Sequence, residues 1–254
     1  MISLPGMING MTDSVVVVYS PEWVIESALR NFYTGKNKVG VKATDNIEEL
    51  LLLISDKQVT SVILHVPERN YVRLICAIRH RQPTLPVIVA QRRILFSDMA
   101  VARWFGNIWL KDFDSLMAKF NEKIIIDSCI SDSRFAGVES ASACFKYCTG
   151  KPGSSRMLKD SQRWLGILLR ERVGSRQGAK IVSEWLSRGL SVEDVSKKLG
   201  CSKKVIHHYR RMTIKSLGIH HDERDFLPSV SLHDGPLSGD LYGKCKMRDV
   251  ENGN

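Results

Sequence analysis

From Ser14 to Lys123 short β-branched runs alternate with amphipathic stretches. Ser14 to Tyr19, Gly40 to Ala43, Thr60 to Val66, Pro86 to Ala90 and Asn107 to Lys111 are strand candidates. Each is followed by a helix candidate: Glu22 to Phe32, Ile47 to Ile54, Tyr71 to His80, Ser97 to Trp104 and Phe113 to Lys123. Short apolar strands alternating with amphipathic helices predict a parallel sheet covered on both faces.

Five such βα units predict a flavodoxin-like domain over 13–125, behind a short N-terminal extension at 1–12. Periodicity then lapses. Residues 126–155 are rich in Ser, Gly and small side chains and end in GKPGSS, so they read as a linker; the glycine order is wrong for a phosphate-binding P-loop. An all-α domain over 156–228 follows. Met157, Trp164, Leu165, Leu168 and Leu169 recur at helical spacing before Gly174, and Arg176 to Arg188 carries Ile181, Val182, Trp185 and Leu186 on one side.

The stretch LSVEDVSKKLGCSKKVIHHYRRMTIKSLGI, Leu190 to Ile219, reads as two helices around a tight turn. Ser191 is placed to cap the first, with Asp194 three residues on as in a capping box. Val192, Val195 and Leu199 make its apolar stripe, Gly200 stops it, and Ser202 is placed to cap the second helix. That helix, to Leu217, would be about 24 Å long, enough to lie along a major groove. Pro228 is expected to limit any helix from Asp222 to one or two turns. Residues 229–254, Gly-rich and net acidic from His233 on, read as a disordered tail.

Charge sharpens this picture. The 254-residue chain carries a net charge of +10, and 151–220 hold 16 basic against 5 acidic residues while the remainder is close to balanced. A polyanionic partner for that segment follows. No apolar run approaches the roughly 18 residues a membrane span needs, and MISLPGMINGMTDS lacks the basic start of a signal peptide, so a cytoplasmic, nucleoid-associated protein with no membrane partner is expected. Six cysteines contain no CxxC pair. Reduced thiols with no metal and no cofactor are the expectation, although Cys144 and Cys148, with Cys129 nearby, leave a metal or redox role as an alternative.

Lys203, Lys204, His207, His208, Arg210, Arg211 and Lys215 cover the outward surface of the second helix, and no carboxylate within the helix interrupts them. A helix that faces phosphates gains from excluding carboxylates, whereas a solvated one usually mixes signs. A merely basic surface helix is the competing reading.

Gly189 to Ile219 resembles, without a gap, the LuxR-type helix-turn-helix of bacterial response regulators. Gly189, Val195, Leu199, Ser202, Ile206, Leu217, Gly218 and Ile219 carry the likeness. The resemblance implies base-edge contacts from His207, His208 and Arg211 and backbone contacts from Lys203, Lys204, Tyr209 and Lys215, with Arg210 on the same helix. It fades upstream. Arg176, Gln177, Gly178 and Ala179 stand where the family opens a helix with Thr/Ser-Pro-x-Glu, so that cap is expected to be missing.

The N-terminal half is similar to the receiver domain of the same regulators, through SVILHVPERNYVRLICAIRHRQPTLPVIVA and GNIWLKDFDSL. His65 aligns with the phosphoacceptor aspartate, Tyr19 and Ser20 with the acidic pair that would hold Mg²⁺, and Ala90 with the hydroxyl residue; Lys111 alone matches. Without metal and acceptor, aspartyl phosphorylation should fail, which implies a pseudo-receiver. An enzyme built on Ser20, His65 and Lys111 would lack an acidic partner, so no catalytic residues are expected. Phe96, Met99, Val101, Trp104 and Phe105 lie where the family pairs its subunits, and equally suit packing on their own sheet. The reading is a flavodoxin-like pseudo-receiver followed by a LuxR-type helix-turn-helix, similar to atypical regulators of the Rcs and BglJ type. That resemblance implies a sequence-specific regulator of transcription on double-stranded DNA, working as a homo- or heterodimer with another such regulator and with RNA polymerase as a further contact. A non-sequence-specific, architectural DNA-binding protein is the alternative.

Overall fold

The computed structural model describes residues 14–36, 40–118 and 155–233. Most of the expected linker, the N-terminal extension, the tail beyond His233, and Cys129, Cys144, Cys148 and Cys245 lie outside the described residues.

Val15–Tyr19 (β1), Gly40–Thr44 (β2), Val59–Leu64 (β3), Val87–Gln91 (β4) and Ile108–Asp112 (β5) form a parallel sheet in the order β2-β1-β3-β4-β5. Every residue of β1 is buried, as a central strand covered on both faces requires. Strand periodicity sorts its side chains. Val16 and Val18 join Leu29, Phe32 and Phe113 on the face of Trp23–Lys36 (α1) and Phe113–Ala118 (α5). Val15, Val17 and Tyr19 join Leu50, Ile75 and Ile78 on the face of Ile47–Leu53 (α2), Val72–Arg81 (α3) and Phe96–Phe105 (α4). The five expected βα units are therefore present.

Charge is buried under this second layer. The Arg79 guanidinium donates to the carbonyl of Gly106 at 2.8 Å and of Asn107 at 2.7 Å, tying α3 to the turn before β5. Asp98, within α4, accepts from Arg69 at 2.7 Å, yet burial raises its carboxyl above the usual range against the pull of that guanidinium. Glu68 is fully buried and neither carboxylate oxygen has a hydrogen-bond partner. Burial first, and then the neighbouring Asp98, hold its acid form well above the ordinary carboxylate range.

The second unit comprises Ser155–Val173 (α6), Arg176–Glu184 (α7), a 3-10 turn at Leu186–Arg188, Val192–Leu199 (α8), Lys203–Leu217 (α9) and Asp222–Val230 (α10). Two local expectations are corrected. The α7 N-terminus is capped after all: the backbone N–H of Gly178 donates to Ser175 Oγ at 3.1 Å, one residue before the segment compared with the family. Helix α10 runs nine residues through Pro228. The carbonyl that loses its donor to that proline belongs to Arg224, which is exposed and so open to water. Val230 and Leu232, placed by the sequence in a disordered tail, are each 2% exposed, because the last turn of α10 and the residues after it pack down instead of leaving the surface.

The two units share one apolar core, in place of the independent domains that a flexible linker suggested. The cluster beneath α4 continues through Met157, Leu165 and Leu168 to Phe226 and Val230. Trp104 and Trp164 meet at 5.7 Å between ring centroids, and Trp164 Nε1 donates to the Ala100 carbonyl at 3.2 Å. Ser97 Oγ donates to the Pro228 carbonyl at 2.6 Å, and Arg93 is ion-paired with Asp225. The α4 face read as a subunit-pairing surface is thus covered by α6 and α10 of its own chain. Ridding Val101, Trp104 and their neighbours of water is what drives that cover.

Candidate nucleic-acid interface

Helix α8 has the expected Ser191 cap but not the full capping box: Ser191 Oγ accepts from the Asp194 backbone N–H at 3.1 Å, while the Asp194 carboxylate accepts from the Ser191 hydroxyl at 2.7 Å instead of from its backbone N–H. Gly200, with φ of 61°, ends it in the left-handed region. The turn is then fixed by Ser196, whose hydroxyl donates to the Cys201 carbonyl at 2.6 Å and whose carbonyl accepts from Cys201 N–H at 3.2 Å. Ser202 stands at the N-cap of α9 but its side chain makes no capping bond. Its backbone carbonyl opens the helix instead, accepting from Val205 at 3.0 Å.

In α9, Ile206 and Thr213 are fully buried and fix which way the helix faces. Lys203, Lys204, His207, His208, Arg211 and Lys215 are consequently exposed along the opposite side. The row is less one-signed than the helix alone suggests. Glu193, from the start of α8, accepts from Lys203 Nζ at 2.8 Å, and this contact holds the Glu193 carboxyl below its ordinary range.

Two of the eight expected DNA-contacting residues are set apart. Arg210 is half-buried with its guanidinium 5.1 Å from the centre of the Phe226 ring, on the α10 side. Tyr209 lies half-buried over α7, where its hydroxyl is 3.4 Å from Gln177 Oε1 and its ring crosses Gly178. A Cβ at Gly178 would sit 2.5 Å from Tyr209 Cδ1. Gly178 therefore lets the Tyr209 ring, and with it α9, sit close against α7.

At the carboxyl ends of the strands, His65 lies beside a hollow of about 460 Å³ lined also by Glu22, Tyr71, Gln91 and His233. Its Nδ1 is 3.4 Å from Ser20 Oγ and its ring packs edge-on against Phe113. Burial lowers its pKa below the ordinary imidazole value, which favours the neutral ring. Ser20 is fully buried, and Lys111 is not among the residues around the hollow. Tyr19, at one former acidic position, is also buried and its phenol is pushed up to about 12. Neither residue offers the anionic oxygen that a hard cation requires. Among the described residues there is no cluster of three or more His, Cys, Asp and Glu side chains suited to a metal, and no helix long and apolar enough to cross a membrane.

No family model and no curated protein sequence matches the chain. Solved structures do. A structure of two RcsB dimers bound to two parallel DNAs superposes with a TM-score of 0.54 at 14% identity, over 86% of this chain and 98% of that one. RcsB from Salmonella enterica serovar Typhimurium bound to promoter rprA with phosphomimetic BeF3⁻ gives 0.52 at 15% identity, over 86% and 98%. A two-component response regulator RcsB–DNA complex gives 0.51 at 15% identity, over 86% and 100%. The chain has their fold, a receiver-like parallel α/β unit followed by a helix-turn-helix unit.

Proposed function

We propose that this protein is a sequence-specific DNA-binding regulator of transcription whose receiver-like unit works without phosphorylation. One observation carries the proposal: the helix-turn-helix is assembled so that α9 presents Lys203, Lys204, His207, His208, Arg211 and Lys215 to solvent on one side. The solved structures of the same fold named above are of proteins bound to DNA, which supports the partner. Arg211 is assigned to base edges, where a guanidinium pairs with guanine in two hydrogen bonds; Lys203, Lys204 and Lys215 are assigned to phosphates.

Independence from phosphorylation rests on His65, Tyr19 and Ser20 at the strand ends, which supply neither a carboxylate acceptor nor metal ligands. Pairing with a second regulator subunit is part of the proposal. Because α6 and α10 cover the α4 face, a partner would either displace them or bind elsewhere. Genome-wide occupancy of the wild type beside Arg211→Ala, with and without receiver-bearing partner regulators, tests the reading. Sharp sites lost in the variant are expected; diffuse occupancy indifferent to Arg211 would favour an architectural role and refute it.

A further inference from the structure

A cleft of about 790 Å³ opens between α6 and α7, and no residue of α9 lines it. Lys159, Arg163 and Arg170 line it from α6, Arg176 and Lys180 from α7, and Arg188 from the 3-10 turn; all six are exposed. Glu184 is the carboxylate among the lining residues. Arg163 makes a loose contact with Asp160 at 3.8 Å. So many like charges around one concavity repel one another unless an anion fills it.

The occupant is argued from the walls and from the position. Leu165, Leu169, Val230 and Leu232 lie at the base of the cleft but are buried, so no apolar anchor is offered. A protein partner would look for such an anchor, whereas a phosphate backbone needs only cations and donors. Arg176, Lys180 and Glu184 follow one another at every fourth residue along a single flank of α7. This row begins next to Gln177, whose side chain meets Tyr209 of α9. Arg188, on the 3-10 turn that follows α7, closes the same lining.

We infer that the α6–α7 cleft is a second phosphate-binding surface, taken up by the duplex flanking the recognised site. The inference rests on the reading of α9 as the DNA-contacting helix and extends it: the bound duplex is longer than one major-groove contact and is drawn toward the flank of α7.

The experiment measures affinity of the full chain for a duplex of about 10 bp, one helical turn, carrying the site and for one of about 40 bp carrying the same site with random flanks. Wild type is compared with Arg176→Gln/Lys180→Gln/Arg188→Gln and, separately, with Lys159→Gln/Arg163→Gln. Both variants should lose less on the short duplex than on the long one, and their circular dichroism should match that of the wild type, which shows that they fold. On the long duplex the triple variant should bind at least tenfold more weakly, with a salt slope smaller by about 2.7, near 0.9 for each cation removed. Unchanged long-duplex affinity and slope, or an equal loss on the short duplex, would overturn the inference. So would inorganic triphosphate bound in the cleft by the wild type and not displaced by the long duplex. If α9 were not the specific reader, Arg211→Ala would leave site preference intact, and the length dependence of the cleft variants would still be read on its own.

Discussion

Gly178→Ala tests the close packing of the Tyr209 ring, and so of α9, against α7. In an ordinary helix this change stabilises by about 0.5–1 kcal/mol, because alanine has less backbone entropy to lose. Here the new methyl would stand 2.5, 3.0 and 3.2 Å from three atoms of the Tyr209 ring. Comfortable carbon–carbon contact is nearer 3.5–4.0 Å, so the ring must withdraw by roughly 1 Å and take α9 with it, an overpacking cost of about 1–3 kcal/mol. The expected net effect is a loss of about 1 kcal/mol. In a Tyr209→Ala background the obstruction is absent, and the same substitution should stabilise by about 0.5–1 kcal/mol. Urea unfolding of the four proteins gives both signs and a coupling energy of about 1–3 kcal/mol, provided that the slopes agree. If Gly178→Ala stabilised the wild type, or if its effect were the same in both backgrounds, the account of Gly178 as the seat of Tyr209 would be wrong.

Three further outcomes follow from contacts already described. Trp164→Ala removes the hydrogen bond to Ala100 and the ring facing Trp104, at a cost of about 2–4 kcal/mol, and calorimetry should show a single transition splitting into two; one unsplit, unshifted peak would contradict the shared core. Lys215→Ala should weaken binding to specific and random DNA alike and lower the salt slope by about 1, whereas Arg211→Ala should mainly relax base preference; equal effects on both kinds of DNA from both changes would contradict the assignment. Glu68→Gln should stabilise the protein at neutral pH. Because burial raises the folded-state pKa of Glu68, the native state holds its proton more tightly than the unfolded chain. Its contribution is therefore intact below the unfolded value and lost as pH rises through the folded one. Chemical denaturation across pH 4–9 should show a slope that the glutamine variant lacks, and identical profiles would dispose of the argument.

The sheet was legible in the sequence because its strands are nearly continuous apolar runs separated by helical periods, and a central parallel strand such as Val15–Tyr19 has no other use for five buried side chains. The helix-turn-helix was legible because Ser191, Gly200 and the Ile206–Thr213 spacing act locally. What failed to show depended on distant partners. Pro228 marks a break by local rule, but the rule ignores that the carbonyl it strands belongs to the exposed Arg224. The cap of α7 comes from Ser175, one residue before the four positions, Arg176 to Ala179, where the family resemblance places the cap signal. Arg210 sits in the basic run as read along the helix, and Phe226 of another element turns it aside. Periodicity could show that Phe96, Val101 and Trp104 are apolar together; it could not choose between a second subunit and the chain's own α6.

The shared core also bears on how the protein can be taken apart. A cut between the sheet unit and α6 would leave Trp104 and Val101 bare on one fragment and Trp164, Leu168 and Phe226 bare on the other. Neither piece would behave as an ordinary soluble module, because each would carry half of an interior as its outside. Brought together, the same faces form a pair of split fragments whose reassembly restores the shared interior. Fragment complementation thus offers a handle on the molecule that domain-by-domain truncation does not.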